Sequence, residues 1–141
     1  MNRVYVAEEK LARASDLPSV LEAAYAAFDD MLPLIMEQQD RGGGTFAAFV
    51  LAGSSAASGR LAIAGAPSLP ASVGGPVADV AARSRVTAQE AGAASAGLSE
   101  LLARRLEEAA ASAVGADRAA CADGARQARD LCAWLGGAPP R

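Results

Sequence analysis

The sequence predicts an all-α protein, an antiparallel bundle of about four main helices with alanine-rich packing. Three observations lead to this prediction. The chain contains 37 alanines among 141 residues, and alanine is the residue that most favours a helix. Apolar residues recur at intervals of three and four along several long segments, which is the spacing of one helix face. The length fits one domain, so we treat 1–141 as a single helical domain.

Residues 1–14 are predicted to form either a short helix or a packed N-terminal arm. Val4, Ala7 and Leu11 fall at helical spacing, while the apolar run at residues 4–6 favours a strand. Because no second convincing strand is present to pair with it, we expect the helix or the arm. The segment lacks the apolar run of a secretory signal peptide.

The first long helix is expected from Leu17 to about Gln39, where apolar residues recur at helical spacing. Asp16 is placed to cap its first turn, and Ser19 with Glu22 forms an alternative capping box. Pro33 lies inside the pattern. Because proline has no backbone N–H, it should kink or break the helix at this point.

A glycine-rich turn at residues 40–44 precedes a second helix at about Phe46 to Ala64, with Thr45 as its cap. Two short strands, at residues 46–53 and 61–65, are the alternative. We prefer the helix because alanine is depleted in strands. This helix is apolar on almost all sides, which is typical of a helix that is buried on most of its surface.

The most apolar stretch, residues 46–66, is also long enough to cross a membrane. Arg60 and several serines and glycines count against a span, since a charge in the middle of a bilayer is costly. We therefore expect no membrane as a partner.

A loop rich in proline and glycine is expected at residues 65–76. Pro76 is placed to begin the next helix from its first turn. Two glycines weaken the helical pattern near Ser95, so both a break there and one continuous helix over residues 77–114 are open, and the pattern resumes strongly at residues 98–113.

The last helix is expected after Gly115, with Asp117 as its cap and Gly136 at its end. Its inner face carries Cys121 and Cys132, which are eleven residues and therefore about 16 Å apart. That separation excludes a disulfide within the helix. We expect both thiols to be buried and reduced, as in a cytoplasmic protein, and not to form a redox pair.

Large side chains are scarce in this chain, because aromatic residues make up only 4% of it. Each alanine buries little apolar area. The core should therefore depend on the leucines together with Phe28, Phe46, Phe49 and Trp134.

Charge and composition exclude several classes of function. The net charge is −3 and no basic stripe is present to neutralise phosphates, so we expect no nucleic-acid partner. The chain has no histidine, which removes the commonest general base and metal ligand. An acidic stretch at Asp29, Asp30, Glu37 and Asp40 is interpreted as a solvated face, not as a cation site. We therefore expect no metal, no cofactor and no catalytic residue.

The first candidate binding site is the turn that comprises Arg41, Gly42, Gly43, Gly44 and Thr45. Free backbone N–H groups and the helix dipole attract anions to a helix N-terminus. The turn is not a Walker motif, because the lysine is missing and the spacing differs. A plain turn is the simpler interpretation, and a site for a small anionic ligand is the functional one.

The second candidate is a set of small residues along the second helix, Ala48, Ala52, Gly53, Ala56 and Ala57. Small residues let helix backbones approach closely. A helix that is apolar on all sides needs a central position or a second subunit. We therefore expect a homo-oligomer, most simply a two-fold dimer, with this helix at or near the interface.

Together these observations predict a non-catalytic helical interaction or assembly protein of the cytoplasm, which self-associates or binds a protein partner. The alternative is an accessory domain of an enzyme system that holds a small anion at the Arg41–Thr45 turn. A deep pocket at that turn would favour the alternative, and a large exposed apolar surface would favour the first hypothesis.

Overall fold

The computed structural model describes residues 2–71 and 86–136. Within these ranges the chain forms five helices and no strand, and 84% of the residues are helical. In chain order the helices are α1 Asn2–Arg13, α2 Leu17–Arg41, α3 Phe46–Ala64, α4 Ala88–Ser112 and α5 Gly115–Leu135. The all-α prediction is confirmed, and the N-terminal segment is the short helix.

Helices α2 to α5 form a four-helix bundle, and α1 packs against its outside. Around the bundle the order is α2, α3, α5 and α4, because each helix contacts the next and α4 contacts α2. α1 lies against α2 and α4. Its C-terminal end is held by Arg105 of α4, whose guanidinium donates to the carbonyls of Leu11 and Ala14.

Neighbouring helices of the bundle run antiparallel. Gln38, near the end of α2, donates to the carbonyl of Val86 just before α4. Asp117, in the first turn of α5, accepts from the backbone and the hydroxyl of Ser68 just after α3. We call the end where α2 and α5 finish, and where α3 and α4 begin, the upper end of the bundle.

The start of α2 agrees with the sequence prediction. Asp16 is the N-cap, and its carboxylate accepts a hydrogen bond from the Ser19 N–H at 2.8 Å. Hydrogen bonding by the side chain and backbone of Ser19 lowers the pKa of Asp16. α2 continues through Pro33, so the predicted alternative of a break is wrong. The missing N–H of Pro33 still deprives the Asp29 carbonyl of its usual helical donor.

The second half of the chain differs from the prediction in the extent of α4. α4 is a single helix with no break near Ser95. A β-carbon on Gly92 would lie 3.7 Å from the Leu135 carbonyl of α5, an ordinary contact distance, so Gly92 lies where α4 packs against α5. Tertiary packing therefore outweighs the weak helix preference of glycine. Thr87 caps α4, and the predicted helix start at Pro76 lies outside the described residues.

The boundary between α4 and α5 also differs from the prediction. The sequence places the last helix after Gly115, but Gly115 is itself the first residue of α5. Its φ of 58° permits the sharp change of direction that follows Val114. Val114 occupies the cap position and Asp117 lies inside the first turn, so the prediction that Asp117 is the cap is wrong. Gly136 ends α5 as predicted.

The core lies between the four bundle helices and under α1. Phe28 and Phe49 are buried in it as predicted, together with Leu11, Leu21, Leu34, Leu98, Leu102, Leu106 and Leu131. Phe46 and Trp134 are about half exposed, so their predicted place in the core is wrong. Phe46 is the first residue of α3 and Trp134 lies in the last turn of α5, where the bundle ends.

Candidate interaction surface

The inward face of α3 packs against α2 and α5. It consists of the buried residues Phe49, Ala52, Gly53, Ser55, Ala56, Gly59 and Ile63. The packing is close, because a β-carbon on Gly53 would lie 2.5 Å from the side-chain nitrogen of Gln39. Gln39 also donates to the carbonyl of Phe49 at 3.0 Å. These contacts determine which side of α3 turns toward the bundle.

The outward face of α3 consists of its nine exposed positions, Phe46, Ala47, Val50, Leu51, Ser54, Ala57, Ser58, Leu61 and Ala64. None of the nine is charged. Leu61 is 75% exposed. The one charged residue of α3, Arg60, lies at the border between the two faces, where it forms an ion pair with Asp29 of α2 at 2.6 Å. The outward face is therefore an uncharged strip along the whole helix.

This strip differs from the exposed surfaces of the other described helices. Each of α1, α2, α4 and α5 has charged residues among its exposed positions. Of the five helices in the described ranges, α3 also is the one long and apolar enough to cross a membrane, with a third of that stretch buried in the molecule. Exposed apolar strips of this kind mark binding surfaces more often than ordinary surface.

Exposed apolar side chains gather at the upper end of the bundle. Phe46, Val50 and Leu51 occupy the first two turns of α3, Met36 lies near the end of α2, and Trp134 lies near the end of α5. They are five of the nine large apolar side chains that are exposed in the described ranges. α2 and α5 both pack against α3, so these five side chains belong to three neighbouring helices at one end of the bundle.

The five small residues predicted as an interface are divided between the two faces of α3. Ala52, Gly53 and Ala56 are buried inside the bundle, Ala48 is half-buried, and Ala57 is on the outward face. The first three serve the packing of α3 within its own chain. The larger residues of the outward face were not predicted as a site; the missing charge along the helix was the signal that could have found them.

The Arg41–Thr45 turn, the predicted anion site, holds the chain together at the upper end. The Arg41 guanidinium donates to the Val86 carbonyl at 2.6 Å and to the Glu37 carboxylate at 3.1 Å. Gly42 and Gly43 have positive φ, which the reversal between α2 and α3 requires. Thr45 occupies the cap position of α3 but makes no side-chain cap bond. An anion at this turn would compete with the contacts of Arg41.

A groove of about 460 Å³ lies between the end of α1 and the first half of α2. It is lined by side chains of both signs, among them Lys10, Arg13, Asp29 and Asp30. Burial raises the pKa of Asp30, with the charges of Arg3 and Lys10 acting against this and that of Asp29 adding to it. No group of three acidic or thiol side chains in the described ranges is placed to hold a metal ion. The mixed charges of the groove favour no single class of ligand.

The two cysteines are free thiols. Cys121 is fully buried as predicted, whereas Cys132 is half-buried and its thiol donates to the Ala96 carbonyl at 3.5 Å. Burial is the main cause that raises the pKa of both thiols. Since the thiolate is the reactive form, neither cysteine is activated as a nucleophile.

The outward face of α3 is thus the feature that distinguishes this molecule from a bundle with an ordinary charged surface. It is uncharged over 19 residues of helix, and exposed apolar side chains of α2 and α5 lie at the same upper end of the bundle as its first turns. Comparison of the chain with protein-family models, with curated proteins and with solved structures gives no match.

Proposed function

We propose that this is a non-catalytic interaction protein, in a reducing compartment such as the cytoplasm, whose outward α3 face binds another protein chain. The observation that carries the proposal is the set of nine exposed, uncharged positions on one helix. Removing apolar surface from water contributes about 25 cal/mol per Å², so covering this face is favourable. A charged surface laid against it would lose hydration and gain no ion pair.

The chemistry of the remaining side chains supports a role in binding over one in catalysis. The chain has no histidine, and the raised pKa of Cys121 and Cys132 keeps both thiols protonated at neutral pH. The alternative role, anion binding at residues 41–45, is supported less well because the Arg41 guanidinium already contacts Val86 and Glu37.

A photoreactive phenylalanine analogue placed at Leu61 tests the proposal in the cells that make the protein. Leu61 is the most exposed large residue of the outward face, so its neighbours after illumination are the molecules that cover this face. We expect covalent protein adducts there. The matched control is the same analogue at Val6, an exposed aliphatic residue of α1 that is 49% exposed. Adducts at Val6 as abundant as those at Leu61, or none at Leu61, would overturn the proposal.

A further inference from the structure

We propose that α1 is a detachable cover, which leaves the bundle as one unit and exposes a binding site for an amphipathic helix of a partner protein. The site is the joint between α2 and α4, the two helices against which α1 packs; we call this joint the seam. Because the seam belongs to α2 and α4, the proposal does not depend on the outward face of α3. The extent of the seam, the packing of α1 and its polar contacts support it.

α1 covers the joint at which the bundle is least complete. Among the four joints between adjacent bundle helices, the one between α2 and α4 is the least extensive, and α1 packs against both of these helices. Val4, Ala7 and Leu11 follow one another at intervals of three and four, so they share a face of α1, and all three are buried. The other three joints connect α2 to α3, α3 to α5 and α5 to α4. The four bundle helices therefore stay connected when α1 leaves.

α1 is packed less closely than the bundle helices are packed against one another. Where α3 meets α2 and α5, a β-carbon on Gly59 or on Gly124 would lie 2.3 Å or 2.8 Å from the nearest side-chain atom. Where α4 meets α1, a β-carbon on Gly97 would lie 3.8 Å from the nearest atom, which belongs to Glu8. The groove of about 460 Å³ adds open space between the end of α1 and α2. Loosely packed elements open at a smaller free-energy cost than the core does.

Asp30 of α2 adds a cost to the docked position of α1. It is half-buried beside α1, and it makes no hydrogen bond or ion pair with the rest of the described chain. Burial raises its pKa, and the charges of Arg3 and Lys10 on α1 do not overcome this effect. A carboxylate that is removed from water without a partner is unfavourable. Hydration of Asp30 therefore favours the state in which α1 is detached.

Arg105 of α4 holds the C-terminal end of α1 in the docked position. The last carbonyls of a helix have no partner within the helix, and the Arg105 guanidinium donates to those of Leu11 and Ala14. It also forms an ion pair with Glu108 on its own helix at 3.1 Å. The seam thus binds a helix both by its apolar face and by its C-terminal carbonyls.

The contacts of α1 indicate which partner fits the seam. It is a helix with large aliphatic side chains on either side of an alanine, in the order of Val4, Ala7 and Leu11, with its C-terminal carbonyls at Arg105. Binding of an amphipathic helix in a groove is a recurring mode of recognition. α1 competes with such a partner at a high effective concentration, because it is tethered to the bundle. The partner helix must therefore bind more tightly than α1 or be abundant.

Thiol labelling of the full-length Ala7→Cys chain tests whether α1 leaves as a unit. The introduced thiol lies on the buried face of α1, and Cys121, fully buried in α5, reports on opening of the bundle in the same molecule. Mass spectrometry of the labelled peptides gives both rates. We expect the introduced thiol to react at least about tenfold faster than Cys121. Val4→Cys is a second reporter on the same face. Equal rates at the reporter and at Cys121 would overturn the proposal.

Replacing Arg105 tests its role in holding α1. Arg105→Met keeps an apolar stem but removes the donors, so labelling of the Ala7→Cys thiol should accelerate about tenfold while that of Cys121 stays unchanged. Glu108→Gln is the matched control, because it alters the ion pair of Arg105 and leaves the carbonyls of α1 in place. Equal acceleration of Cys121 by Arg105→Met would show a loss of stability in the whole bundle and contradict the proposed role.

A synthetic peptide of residues 2–14 tests whether the seam binds a helix from another molecule. Added at millimolar concentration to the full-length Ala7→Cys chain, it should occupy the seam of open molecules and raise labelling of the introduced thiol at least about threefold. The same peptide with Leu11→Glu should have no effect, because its carboxylate would be buried without a partner. No rise with the first peptide, or an equal rise with both, would overturn the proposed binding site.

Discussion

The α-carbon of Gly59 in α3 lies against the aromatic ring of Phe28 in α2, so closely that a β-carbon at position 59 would overlap the ring. Phe28 is fully buried, which leaves its ring no open side toward which it could move. This contact holds the inward face of α3 against α2. Because the contact fixes which side of α3 faces α2, it also helps to determine which residues of α3 are exposed.

We expect Gly59→Ala to lower the free energy of unfolding by about 1–3 kcal/mol, the usual cost of an added methyl group in a packed core. Alanine gains up to about 1 kcal/mol in helix preference, but the overlap with Phe28 outweighs this gain. Chemical denaturation measures the difference. Gly97→Ala in α4 is the matched control: a β-carbon there would lie 3.8 Å from the nearest neighbouring atom, a carboxylate oxygen of Glu8, so stability should rise. A change in the same direction for both variants would contradict the account.

Ser95 offers a substitution that should stabilise the protein. Its side-chain oxygen is fully buried and has no hydrogen-bond partner among the described residues. A buried polar group without a partner costs about 1–3 kcal/mol. We expect Ser95→Ala to raise the free energy of unfolding by about 1 kcal/mol. Ser99→Ala is the control, because the Ser99 hydroxyl donates to the Ser95 carbonyl at 2.7 Å. An equal rise in the free energy of unfolding in both variants would show that the helix preference of alanine, and not the unpartnered Ser95 oxygen, is the cause.

Asp30 should make stability depend on pH. Burial is the main cause that raises its pKa in the folded protein. Folding therefore favours the protonated acid, and stability falls as the pH rises from the unfolded-state pKa through the folded-state pKa. Because an amide does not ionise, Asp30→Asn should be more stable than the unaltered chain at neutral pH. The difference should vanish well below the ordinary pKa of 3.8. Thermal unfolding of both proteins across this pH range tests the assignment to Asp30. A stability difference that did not change with pH would refute it.

The two thiols should differ in their rates of reaction. Cys121 is fully buried and Cys132 is half-buried, and the pKa of each is raised mainly by burial. We expect Cys132 to react slowly with a chromogenic disulfide in the native protein, and Cys121 to react after unfolding. Replacing each cysteine in turn with serine assigns the rates. Rapid reaction of Cys121 in the native state would show that its place in the core is wrong.

The positions of several helices could be predicted from the sequence because helix preference and apolar spacing are local properties. The bounds of α3 and the cap at Asp16 agree with the structure. The continuous α4 at Ser95 and the role of Asp117 could not be predicted in this way. Asp117 accepts hydrogen bonds from Ser68, 49 residues earlier in the chain, and such contacts exist only after the helices have packed.

The outward face of α3 could not be located from periodicity. A helix that is apolar on all sides has no preferred side in its sequence pattern, so the small residues are the interface that the pattern indicates. Ala57 alone among the five lies on the outward face. Contacts with Phe28 and Gln39 decide the orientation. Arg60 marks the edge of the strip, but its partner Asp29 becomes a neighbour only in the folded bundle.

The molar mass of Leu61→Glu in solution, compared with that of Val6→Glu, tests most directly whether the outward face of α3 mediates the self-association that the sequence predicts. Both variants place a carboxylate at an exposed aliphatic residue of a helix, and circular dichroism verifies that both stay folded. At high concentration we expect the unaltered chain and Val6→Glu to approach 28.2 kDa, twice 14.1 kDa. Leu61→Glu should stay near 14.1 kDa, because dimerisation would bury its charge without a partner. Equal masses for the two variants, or a monomeric unaltered chain throughout, would contradict the account.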